Sequence, residues 1–137
     1  MDKLFVPYEL AILLKEKGFN ELCFGEYRQW DGNTPYLQKY QDLDECSTDP
    51  ADYEYTTECK APLHQQAIDW FRNTLNLHID ISTLNNSLQQ IKIYKIRKFK
   101  DESYQLEEIN SIGISCTIFE NIKVYNKAIE EALKIKI

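Results

Sequence analysis

Apolar positions along the chain follow two rhythms. The helical one opens it. Leu10, Ala11, Leu13 and Leu14 form a stripe on a helix expected from Pro7 to Lys17. Proline suits a first helical position, and Gly18 followed by Phe19 is a Schellman ending. The rhythm returns over residues 62–75, where Leu63, Ala67, Trp70, Phe71 and Thr74 share one face. There Trp70-Phe71 reads as the core anchor of the helix rather than a ligand platform. A closing helix at about 121–134 would bury Ile122, Tyr125, Ile129 and Leu133. Between the last two helices the period falls to two. Leu77, Ile79 and Ile81 alternate with His78, Asp80 and Ser82, the mark of a half-buried strand. Residues 90–99 and 111–119 read as two further strands, with a turn at Asn85–Ser87 and a polar connection, DESYQLEE, at 101–108. ELCFGEY at 21–27 reads as an earlier strand.

Residues 28–60 keep neither rhythm. Asp31-Gly32 signals a hairpin, and YLQKY at 36–40 fits a short strand. From about 41 to 60 the chain has few aliphatic residues and reads as an acidic loop or mobile insertion. The expected fold is therefore α+β: one domain over residues 1–137, with a small mixed or antiparallel sheet and about three helices packed on one face. A shared-sheet or helix-packed homo-oligomer fits the same elements.

Charge changes this picture. The 137 residues carry 16 basic and 22 acidic groups, a net charge of −6, which disfavours general binding to nucleic acid. The distribution is uneven. Residues 42–58 hold seven acids and no base, and residues 92–100 hold five bases and no acid. No apolar run reaches the ~18–20 residues that span a bilayer, and the N-terminus lacks the layout of a signal peptide. A cytoplasmic location in a bacterial host is expected. Cys23, Cys46, Cys59 and Cys116 include no C-x-x-C pair. Cys23 and Cys116 read as core residues, and Cys46 and Cys59 lie where carboxylates discourage the thiolate.

Candidate chemistry is sparse. No phosphate loop, H-E-x-x-H or G-x-S-x-G motif occurs, and DLDECSTDPAD lacks calcium-loop spacing. No cofactor, metal site or catalytic residue is expected, and the chain reads as a non-enzyme. His78 and Asp80 could orient a base, but a solvated strand face is the preferred reading. On the basic strand, lysines that protect a sheet edge are the preferred reading; the alternative is an anion site using Tyr94 and Arg97. In EYRQWDGNTPYLQKY, Arg28, Trp30, Tyr36 and Lys39 mix aromatic rings with cations. That set suits either a ligand pocket or cross-strand packing, and the sequence leaves both open.

FVPYELAILLKEKGFNELCFGEY, APLHQQAIDWFR and YNKAIEEALK resemble small proteins of phages and prophages of Bacteroidetes. The likeness covers the first 27 residues, 61–74 and the last dozen. In this chain, 28–60 is longer and more acidic than that pattern. The resemblance implies a mobile-element setting and no particular chemistry. Two readings follow. One is a non-enzymatic counter-defence protein that sequesters a small anionic, nucleotide-like ligand through Arg28, Trp30, Tyr36, Lys39, Tyr94 and Arg97. The other is an inhibitor that presents Asp42, Asp44, Glu45 and Asp49 to a basic host protein.

Overall fold

The structure, a computed structural model, describes residues 2–30, 34–40, 55–85, 87–115 and 121–136. The class is α+β, built from three helices and two three-stranded antiparallel sheets. The chain forms two compact units, Met1–Gln65 and Gln66–Ile137.

In the first unit, a 3₁₀ turn (Asp2–Leu4) precedes α1 (Tyr8–Glu16). Pro7 sits just before the first helical residue, and its carbonyl accepts the Ala11 N–H at 2.9 Å. The helix ends as its sequence predicts. Gly18 takes φ +107°, a conformation only glycine enters freely, and the Phe19 N–H reaches back to the Leu14 carbonyl at 2.9 Å. Ala11 and Leu14 are the buried part of the stripe, while Leu13 is exposed.

The sheet follows in the order β2-β1-β3, from β1 (Gly25–Trp30), β2 (Tyr36–Lys39) and β3 (Tyr55–Lys60). Three sequence readings change here. The first strand starts at Gly25, not at residue 21, and Cys23 is buried where Leu22 and Phe24 are exposed. Its continuation is hidden in the sequence because the alternating partners of Tyr27 are the charged Glu26 and Arg28. Residues 55–60, read as the end of an acidic loop, form β3 and bury Cys59 opposite Tyr27. Main-chain pairing with β1 organises them, although they have few aliphatic side chains. The rest of the acidic segment, 41–54, lies outside the described residues, as do 31–33 between the paired β1 and β2.

Tyr27 ties the sheet to the N-terminal segment. Its hydroxyl donates to the Val6 carbonyl at 2.6 Å, and its ring meets Tyr8 edge-on at 5.5 Å. The Val6 N–H in turn donates to the Pro62 carbonyl at 2.9 Å. Gly25 is needed where these layers meet, since a Cβ there would lie 2.9 Å from the Phe5 ring and 3.1 Å from Leu37.

The unit boundary falls within the first turn of α2 (His64–Leu75). Ala67, Ile68, Trp70 and Phe71 are buried, and Trp70 and Phe71 meet edge-on at 5.2 Å. Trp70-Phe71 is thus packing, as predicted; full burial of Phe71 contributes roughly 1.5–3 kcal/mol. Thr74 is exposed, and Ile68, outside the expected stripe, is buried. Asn76, at φ 55°, turns the chain out of the helix in the left-handed conformation that Asn tolerates.

The second sheet is a meander, β4-β5-β6: β4 (Leu77–Asn85), β5 (Leu88–Lys98) and β6 (Tyr104–Ser115). The Asn85 side chain closes the first turn by accepting from the Ser87 N–H at 2.9 Å. β6 begins seven residues before the expected 111, so most of the presumed connection DESYQLEE is strand. Its Glu107 pairs across to Arg97 of β5, and the run of charge disguises the alternation. Leu77, Ile79, Ile91, Ile93 and Ile114 form the buried face, and α3 (Asn121–Leu133) packs against β4 and β5. Val124, Ala128, Ile129 and Ala132 are its buried residues. Of the residues predicted to be buried there, Ile129 is buried, while Ile122, Tyr125 and Leu133 are only half-buried. Glu131 accepts from Lys127 at 3.0 Å, Lys134 at 3.1 Å and the Asn110 side chain at 3.5 Å. Lys127, then Lys134, hold its carboxyl below the usual range despite some desolvation.

Two predictions follow from this packing. Gly25→Ala forces Phe5 or Leu37 to move and should cost about 1–3 kcal/mol in urea denaturation. Glu131→Gln should cost about 0.5–1 kcal/mol at pH 7. A depressed folded pKa stabilises above the unfolded value, and that stabilisation is lost as pH falls through the folded one. Wild type and variant should therefore converge once the pH falls below the folded-state pKa of Glu131; a gap that persists in acid, while both remain folded, would disprove the ion-pair origin.

Candidate functional site

The predicted site residues fall into two clusters, one in each unit. On β1, Glu26 and Arg28 are two positions apart and so share a face. The Arg28 Nε donates to Glu26 Oε1 at 2.6 Å, and Arg28 Nη2 donates to the Tyr40 hydroxyl. That hydroxyl donates in turn to Glu26 Oε1, and the Tyr40 ring lies 5.6 Å from the guanidinium carbon. Glu26 is only 4% exposed. The result is a closed acid–cation–phenol network within the first sheet. Tyr36 stands opposite Arg28 and Lys39 opposite Gly25, both on β2 and both exposed. Trp30 ends β1, with its side chain outside the described residues. Sequence reasoning missed Glu26. The signal was its i, i+2 relation to Arg28 on a strand.

Tyr94 and Arg97 belong to the other unit and occupy opposite faces of β5. Arg97 is ion-paired with Glu107 of β6 at 2.7 Å. The reading of the basic stretch as a protected sheet edge is overturned for Lys92 and Lys95: as far as Lys95, β5 is the central strand, paired on both sides. Its bases are set against carboxylates instead. Lys92 is in register with Asp80, and Lys95 with Glu107.

The outer face of this sheet, opposite the buried one, carries His78 and Asp80 on β4, and Lys92, Tyr94, Ile96 and Lys98 on β5. His78 and Tyr94 are a cross-strand pair, with rings 5.9 Å apart and tilted by 39°. Both are half-buried, which fixes the rings while leaving part of each open. Neither Lys92 nor Lys98 has an ion-pair partner within 4.0 Å among the described residues. The arrangement offers two adjacent π-surfaces with a cation two positions away on the same strand face, chemistry that suits a planar ring bearing negative charge.

Asp42, Asp44, Glu45 and Asp49 lie outside the described residues. No group of three His, Cys, Asp or Glu side chains among the described residues is placed to hold a metal ion. No helix among them is long and apolar enough to cross a membrane.

The network of Glu26 makes a definite prediction. Glu26→Gln removes the buried carboxylate that Arg28 and Tyr40 share and should cost about 2–4 kcal/mol. Tyr40→Phe removes one hydroxyl that both donates and accepts, at about 1–2 kcal/mol. Urea titration of both variants checks the order, and a Tyr40→Phe loss larger than that of Glu26→Gln contradicts it. A scan of protein-family models, a search of curated proteins and a search of solved structures each found no match to this chain.

Proposed function

We propose that this is a non-enzymatic binding protein that holds a small, planar, anionic ligand of nucleotide-like chemistry on the outer face of the β4–β5–β6 sheet. The observation that carries the reading is the His78–Tyr94 ring pair beside Lys92, a lysine with no ion-pair partner. Tyr94 stacks the base, and Lys92 and Lys98 attract the phosphate. Arg97 and Arg28 are engaged with Glu107 and Glu26, so they support their sheets rather than lead the binding. The net charge of −6 argues against long nucleic acids and favours a ligand that needs only one or two cations. The resemblance to phage and prophage proteins supports a counter-defence setting, in which binding withdraws a nucleotide signal from its host receptor.

Calorimetric titration with a panel of linear and cyclic mono- and dinucleotides tests the reading. At least one should bind with micromolar affinity. Tyr94→Ala should weaken it about 5- to 100-fold, the worth of one stacked base. Lys92→Glu should weaken it several-fold and flatten its salt dependence. Absence of binding across the panel, or binding indifferent to Tyr94→Ala, would rule the site out.

A further inference from the structure

The β4–β5–β6 sheet changes its apolar side partway along. Over Gln89–Ile93 the odd positions of β5 face the buried side, with Ile91 and Ile93 paired to Ile112 and Asn110 of β6. The register then shifts between Ile93 and Tyr94, where Ile109 is an extra residue in β6. Beyond this bulge the even positions of β6 point to the outer face, together with those of β5. Ile96 pairs with Leu106, and Lys98 with Tyr104. Leu106 is 41% and Tyr104 68% exposed, and Phe99 at the hairpin tip is 52% exposed. The opposite face of the same arm is polar, with Lys95, Arg97, Gln105 and Glu107. β4 pairs no further than Lys95, so the arm from Ile96 to Leu106 has only two strands. A two-stranded ribbon with one apolar face needs cover to be stable.

The charges select what covers it. Residues 92–100 have five bases and no acid, and residues 101–115 have four acids and no base. On the outer face of the arm this leaves Lys98 on β5 and Glu108 on β6, one charge of each sign. A partner of single charge sign would be repelled by half of it. An identical arm related by a two-fold axis can set Lys98 of each copy against Glu108 of the other, the self-complementarity that an isologous contact requires. We infer that a second copy of this chain docks face to face on the outer side of the β5–β6 arm, with Ile96, Tyr104 and Leu106 at the centre and Lys98 and Glu108 at the rim. Edge-to-edge pairing of two β6 strands is disfavoured, because it opposes carboxylates and crosses the bulge.

Sedimentation equilibrium of the full chain tests the inference. The wild type should be a dimer at about 100 µM, within reach of an interface of modest size. Leu106→Asp should raise the dimer dissociation constant at least tenfold, with circular dichroism unchanged. Lys98→Glu and Glu108→Lys should each weaken the homodimer, and an equimolar mixture of the two should recover a heterodimer. A monomeric wild type, a dimer indifferent to Leu106→Asp, or a mixture that fails to recover would each overturn it. Leu106 is not one of His78, Tyr94, Lys92 and Lys98, so nucleotide titration of Leu106→Asp separates failure of this contact from failure of the ligand reading.

Discussion

The register shift at Ile109 governs the second sheet. A strand alternates strictly, so one inserted residue exchanges its two faces from that point onward. Without it, Leu106 and Tyr104 would continue the row of Ile112 and Ile114, on the side that α3 covers. With it, the face that stabilises the unit ends at Ile93, and a different apolar surface opens on the other side. The ring pair of His78 and Tyr94 stands where the two regimes meet.

Charge in this protein is local. A net value of −6 suggests an acidic surface, yet several cations have carboxylate neighbours at short range. Arg28 is held by Glu26 two positions away on the same strand, Arg97 by Glu107 across a strand pair, and Lys127 by Glu131 one helical turn on. Buried examples such as Glu26 fix geometry more than they add stability, because desolvation offsets much of the attraction. The cations left over on a half-buried aromatic face are therefore informative, and Lys92 is one of them.

The helices were legible because their caps and stripes are local. Gly18, Phe19 and Trp70-Phe71 serve as their sequence predicts. Strands were legible where one face is aliphatic, as at Leu77–Ile81, and invisible where cross-strand charges replace that signal. Residues 104–108 read as a connection because Glu107 answers bases on a neighbouring strand that periodicity alone does not reveal. β3 was missed for a related reason: its ladder with β1 is made by backbone. The site was half legible. Tyr94 stood out by composition, but its partner His78 emerges only from the register that opposes them. That the six proposed ligand contacts divide between two units follows from long-range topology, which one-dimensional patterns do not carry.

The first sheet closes over a longer span than the second. Fifteen residues separate Lys39 from Tyr55, whereas Asn86 and Ser87 alone join β4 to β5. Closure entropy grows only logarithmically, by about 0.6 kcal/mol per doubling of length. The return of β3 to β1 is thus slow to find but cheap to keep. By the same arithmetic, a change in the length of the acidic connection costs the ladder on either side little. The chain has a place to acquire new specificity without renegotiating its fold.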